Sequence, residues 1–253
     1  MGALHFSIVV FVVTFGATLL GLRVRRWLPA IYRDEPTNAS IKAIIGQMGI
    51  LTTVVLGFVT ATAKSDFDSA SSLVADSATR IVTLDRILAG IGDRGTVLRD
   101  DLRWIVEQQI ASINSVQELA ISDTAIIERA ERYESFHRSL AALEPESDTE
   151  ADEIKRAHAL MADLMRSRWV FSLDRSAEFP WAFLIFVVVW LAITFLYVGL
   201  YATENGFVMF TAGCVAMALA SAMFLILELE RPSQGYIRVS PKPLERALAI
   251  LGQ

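Results

Sequence analysis

From Ile41 to about Ile91 the chain meets no proline or other helix-stopping residue; Ala43 to Ala63 carries no charge, and the remainder is amphipathic. In hydrocarbon such a segment satisfies its backbone only as a helix, and nothing halts that helix at the membrane boundary. The stretch therefore predicts one rod, half in lipid and half out, about 75 Å long at 1.5 Å per residue. Along it Gly46, Thr53, Thr60, Phe67, Val74, Ile81 and Leu88 recur every seven residues, and Gly49, Leu56, Ala63, Ala70, Ser77, Leu84 and Ile91 stand three further on. That is a heptad seam crossing the boundary. In the bilayer half the seam is mostly Gly, Thr and Ala, where a lipid-facing stripe is Leu, Ile and Phe, so it is expected to face protein or water. Above the membrane it becomes conventionally hydrophobic.

Three further segments, Leu4 to Leu22, Trp181 to Tyr201 and Phe207 to Leu227, reach the roughly 18 apolar residues that a spanning helix needs. With 53% of its residues apolar the chain reads as an integral membrane protein. The first segment does not read as a secretory signal: no Lys or Arg precedes it, its apolar core is too long, and Arg23, Arg25 and Arg26 stand where small cleavage-site residues belong. A net charge of −5, with basic residues scattered along acidic helices, excludes nucleic acid as the expected partner and leaves membrane lipid. The single Cys214 lies inside the fourth apolar segment and has no intrachain disulfide partner.

Between the first two spans, RVRRWLPAIYRDEPTNAS places Trp27 and Tyr32 at interface depth, with Pro29 and Pro36 as breakers. Gly90 to Gly95 ends the long helix. Thr96 to Leu119 predicts a second amphipathic helix, with Leu98, Leu102, Ile105, Gln109, Ser112, Val116 and Leu119 on one face. A third, capped by Ser122 or Asp123, carries Ile126, Ile127, Ala130, Tyr133, His137 and Leu140 and stops before Pro145. Ser147 with Glu150 suggests a capping box for a fourth helix, whose apolar face is Ile154, Ala157, Met161, Leu164 and Val170 and which leads through Pro180 to the third span. The last two spans are joined by ATENG, and Trp181, Tyr197 and Tyr201 form their aromatic belt. No period-two pattern appears. The expected fold is all-α: four transmembrane helices and an extramembrane antiparallel helical bundle inserted between the second and third, the second running on into the bundle. The expected divisions are a first hairpin 1–63, a bundle 64–179, a second hairpin 180–228 and an interfacial tail 229–253.

Gly90, Gly92 and Gly95 spell GxGxxG, but they follow a helix, not a strand, so they read as a helix-ending turn and not as a dinucleotide site. Glu134 and His137 form one Glu-x-x-His; a carboxylate-bridged metal needs two, and His158 has Lys155 at that spacing. His5, His137 and His158 are dispersed, and no Ser or Cys sits in a nucleophile motif. No catalytic residue, metal site or cofactor is expected, and His137 is placed on a core or boundary face.

What remains is the small and hydroxyl seam. Gly46, Gly49, Thr53, Leu56 and Thr60, with Gln47 as a constriction residue where the helix enters the bilayer, are the pore-lining candidates, since Thr hydroxyls and exposed backbone replace part of an ion's hydration. Close packing between helices is the competing reading. Glu228 and Glu230 are candidates for an acidic ring where the fourth span leaves lipid; hydrated acids paired with Arg231 are the alternative. Arg23, Arg25, Arg26 and Arg33 place the first loop in the cytoplasm, whereas Lys64, Arg166, Arg168, Arg175, Arg231, Arg238, Lys242 and Arg246 place the bundle and both termini there. By count the second arrangement is the expectation.

The segments SAEFPWAFLIFVVVW, FLILELERPSQGYIRVSPKPLERAL and GFVTATAKSDFDSA resemble a bacterial membrane family labelled a bestrophin-like domain. Its closing motif is matched by Glu230, Arg231, Pro232, Gly235, Ile237, Val239 and Ser240, with Ser233 where Phe is usual. The resemblance extends over nearly the whole chain. By analogy with bestrophins, which are oligomeric anion channels with a large cytosolic helical region, it implies a channel. The sequence thus leads to a multi-pass homo-oligomer of a bacterial inner membrane that conducts small inorganic ions along its second helix. The alternative is a membrane-anchored sensory or scaffolding protein whose bundle binds a partner.

Overall fold

The computed structural model describes residues 2–27, 35–114, 123–174, 181–202, 205–230 and 235–251, with side chains at 35–38, 123–130, 168–174 and 181–182 outside the described set. Eight helices and no strand occur among the described residues: α1 (Ala3–Arg25), α2 (Glu35–Gly90), α3 (Asp93–Asn114), α4 (Asp123–Ala141), α5 (Asp148–Asp174), α6 (Trp181–Tyr201), α7 (Gly206–Leu229) and α8 (Lys242–Ile250). Four of them, α1, α2, α6 and α7, are long and apolar enough to cross a membrane. The long rod is present as a single helix of 56 residues. It starts earlier than expected, because Pro36 falls in its first turn, where a missing N–H costs nothing, and so opens the helix instead of breaking it. Pro29, Tyr32, Arg33, Val116, Leu119, Ser122, Arg175, Pro180, Arg231, Pro232 and Ser233 lie outside the described residues, as do the side chains of Ile126, Ile127, Ala130, Arg168, Val170 and Trp181.

The chain divides into two units, Met1–Phe67 with Glu178–Ile237, and Asp68–Ala177 with Arg238–Gln253. In the first, α1 lies against α6 and α7. Its buried residues are Ala3, Ser7, Val10, Thr14, Thr18 and Gly21, whereas Leu4, Ile8, Val9, Val12, Leu19 and Leu20 point outward. Small residues inside and large apolar ones outside is the arrangement that suits lipid, where association depends on close approach. The buried hydroxyls are satisfied within the helix: Ser7 donates to the Ala3 carbonyl at 2.9 Å and Thr14 to that of Val10 at 2.7 Å. α6 contributes Leu184, Val187, Leu191 and Phe195, and α7 contributes Ala216, Ala220, Met223 and Ile226. The α6–α7 turn is closed by Asn205, whose side chain accepts from the Phe207 N–H at 3.1 Å, and the Arg25 guanidinium donates to the Ala202 carbonyl. Tyr197, one of the residues of the expected belt, has a buried hydroxyl, and its ring lies tilted against that of Tyr201, 4.5 Å between centroids.

In the second unit, the upper half of α2 buries Val74, Ser77, Ile81, Leu84, Leu88 and Ile91, the expected seam. The GxGxxG turn follows. Gly92 has φ +74°, a conformation glycine adopts without cost, and a Cβ on Gly95 would overlap the Leu88 carbonyl, so both glycines serve the reversal between α2 and α3. Past the turn, Asp85 and Arg99, equidistant in sequence from Gly92, meet in a bidentate pair at 2.7 and 3.1 Å. Its hydrogen bonds hold the Arg99 guanidinium still further into its protonated range. α3 packs with α4 and α8, and α4 with α5. Arg132 of α4 bonds Asp101 of α3 at 2.9 Å and lies over the Trp104 ring. The tail, expected on the membrane surface, is in part a packed element here, since α8 buries Leu244 and Ala247.

The start of α5 carries a variant of the expected capping box. Ser147 Oγ accepts from the Glu150 N–H at 3.2 Å, while Glu150 Oε2 accepts from the N–H of Glu146, one residue before the usual partner. Arg94 bonds both Glu146 and Glu150. Replacing Ser147 with alanine is expected to cost about 1 kcal/mol, read as a fall in the urea midpoint with unchanged slope.

Candidate functional site

The sequence directs attention to the bilayer half of α2, and what matters there is which way each residue turns. Val55, Val59 and Ala63 pack against the membrane core, and Thr52, 6% exposed, with the half-buried Ile45 and Met48 continues their line. Up to Val59 it lies one residue before the expected seam, and at Ala63 the two coincide. A helix with 3.6 residues per turn drifts about 20° per heptad against a strict seven-residue repeat. The seam is therefore only in part on the packed line here: Ala63 is buried and Leu56 packs against the core, while Gly46 and Thr53 are exposed.

The consequence differs along the candidate set. Gly46, Gln47 and Thr53 are exposed; Gly49 and Thr60 are half-buried; Leu56 turns partly towards the membrane core. A Cβ built on Gly46, Gly49 or Gly57 meets nothing within 4 Å. The contrast is Gly21 of α1 with Gly199 of α6, where a Cβ on Gly21 would overlap the Leu196 carbonyl and stand 2.8 Å from the Leu200 nitrogen. Those two glycines allow backbone contact within the chain. The α2 glycines do not. The hydroxyls of Thr53 and Thr60 donate to the carbonyls of Gly49 at 2.9 Å and Leu56 at 2.7 Å, so each is satisfied within the helix.

Directly opposite the packed line stand residues the seam did not include. Ile50 is 68% and Val54 63% exposed, with Gly57 and Ala61 continuing the same face and Phe58 at its flank, 72% exposed. Of the acidic pair, Glu230 is half-buried and Glu228 only 4% exposed. Glu228 Oε2 accepts from the N–H groups of Tyr236 and, at 3.3 Å, Ile237, so within the chain this carboxylate ties the end of α7 to those two residues. No group of three or more His, Cys, Asp or Glu side chains suited to a metal comes together among the described residues.

Four spanning helices with a helical unit inserted between the second and third are shared with solved structures. One crystal structure of a bacterial bestrophin homolog from Klebsiella pneumoniae, a point variant, superposes with a TM-score of 0.70 at 17% identity, covering 98% of this chain and 99% of that one. Another variant of the Klebsiella pneumoniae homolog gives 0.66 at 18% identity, covering 100% and 99%. At such identities the likeness is one of fold. No curated protein matches the chain. The model of the bestrophin-like domain matches residues 9–244, and the chain therefore belongs to the bestrophin-like family.

Proposed function

We propose that the chain forms a homo-oligomer in a bacterial inner membrane and conducts small inorganic ions along a path lined by the bilayer half of α2. The observation that carries this reading is the uncovered side of that helix. Gly46, Gly49 and Gly57 have open space beside them, while Gly21 and Gly199, in the same unit, are filled by backbone. An α2 that only anchored the protein would present Leu, Ile and Phe all round its free side; this one presents Gln47, glycine and threonine as well. In a ring of copies, Thr53 offers hydroxyl oxygens to a passing ion, and Ile50 and Val54, one turn apart, supply an apolar constriction that closes by dewetting. Membership of the bestrophin-like family supports a channel over an enzyme.

The proposed orientation puts the helical unit and both termini in the cytoplasm. Arg25, one of the arginines that pointed the other way, is bonded to the Ala202 carbonyl and so has a structural use at that end of the membrane.

Reconstitution in liposomes tests conduction. The protein is expected to pass ions above the rate of empty vesicles, and Gly49→Leu or Thr53→Leu to bring the flux down near that background while the protein stays folded and oligomeric. Flux equal to that of empty vesicles, or unchanged in both folded variants, overturns the reading.

A further inference from the structure

The histidines that are dispersed in the sequence are not dispersed in the fold. His137 of α4 and His158 of α5 meet edge to face, with ring centroids 6.1 Å apart and planes at 63°. Beneath them Phe136 and Leu140 of α4 and Ala157 and Met161 of α5 are buried, which fixes the two backbones that carry the imidazoles. The rings keep freedom to turn, since His137 is exposed and His158 half-buried. Of the core or boundary face expected for it, His137 thus takes the outer one, exposed on α4 beside His158.

We propose that His137 and His158 bind a borderline divalent transition cation, of the Zn²⁺, Ni²⁺ or Cu²⁺ type, that clips α4 to α5. Neutral imidazole suits these ions, whereas Ca²⁺ and Mg²⁺ require oxygen ligands. A tetrahedral ion bonded to one nitrogen of each ring at about 2.0–2.1 Å places the ring centroids about 5 Å apart. The observed separation is within about 1 Å of that, a distance that side-chain rotation closes without moving either helix. Glu134, exposed and one turn before His137 on the same face of α4, adds negative charge that favours a cation. The basic residue one turn before His158, Lys155, is paired with Asp152 at 3.0 Å and so has a counter-charge of its own. With two protein ligands the remaining positions belong to water, and the ion cross-links two helices joined by an acidic turn. This inference does not rest on the permeation reading.

The test uses the full chain in detergent, stripped with chelator and free of any purification tag. Titrated with Cu²⁺, the wild type is expected to give an electron paramagnetic resonance spectrum with two imidazole nitrogens on the metal. His137→Gln and His158→Gln each reduce this to one, and His5→Gln leaves it unchanged. Zn²⁺ is expected to raise the melting temperature of the wild type but of neither Gln variant. Its affinity, read by calorimetry, falls on the order of tenfold or more in each, the least expected when loss of even an outer partner of a metal ligand costs that much. A wild-type spectrum without coordinated nitrogen overturns the proposal whether or not the variants fold. So does a nitrogen count unchanged in both Gln variants, or one lost with His5→Gln.

Discussion

Gly199→Val and Gly21→Val are each expected to destabilise the membrane unit by about 3 kcal/mol or more, the upper end of what overpacking costs. The usual escape from overpacking is for a neighbouring side chain to move. Here the obstacle is backbone: a Cβ on Gly199 would overlap the Thr18 carbonyl and lie 3.1 Å from the Gly21 Cα, and one on Gly21 would overlap the Leu196 carbonyl. Nothing yields except the distance between α1 and α6, and separating them opens the contact along which Val10, Thr14, Leu191 and Phe195 are buried. Even alanine introduces the offending atom. The control is internal, because Gly46→Ala and Gly57→Ala add the same methyl to a helix in the same unit where it meets nothing. Within the chain those two are expected to be neutral or slightly stabilising, since glycine is the poorer helix former by up to about 1 kcal/mol. Melting followed by size-exclusion chromatography in detergent distinguishes them. Equal losses at all four positions would mean that the glycines of α2 are packed as tightly as those of α1 and α6.

The second large effect is expected at the ion pair between α2 and α3. Removing one member of a buried pair costs about 3–5 kcal/mol, because the other is left without its counter-charge. The two partners are not equally buried: the Asp85 side chain is 3% exposed and that of Arg99 24%. Arg99→Ala strands a carboxylate away from water and is expected to reach that range, whereas Asp85→Ala leaves a guanidinium that water already reaches, and is expected to cost about half as much. Urea unfolding monitored by circular dichroism measures both. Equal costs would show that the pair contributes packing and little charge.

Seen beside these two sites, the seam of α2 shows how far local pattern reaches. Its upper half, Val74 to Ile91, is buried as the heptad reading requires. The same reading extended into the bilayer names residues that the fold treats differently: Ala63 is buried and Leu56 packs against the core, while Gly46 and Thr53 are exposed. A second small-residue line, Ala3, Ser7, Val10, Thr14, Thr18 and Gly21 in α1, has the spacing and composition of the α2 seam, yet it is packed within the chain while Gly46 and Thr53 are not. Composition alone does not separate a close contact between helices of one chain from a surface left open, since both need small residues.

What the amino-acid order determined by itself is the set of elements: four spans, a rod of 56 residues, a reversal at Gly92 and a cap at Ser147. Each follows from physics that acts within a few residues, namely backbone satisfaction in lipid, glycine's access to positive φ, and donors left over at a helix start. Tertiary structure alone decided that Gly21 faces Gly199, that Asp85 finds Arg99, that Glu228 bonds the Ile237 N–H and that His137 meets His158. Those outcomes depend on how each helix is rotated about its own axis, and that angle is set by the volume and polarity of the neighbours it packs against.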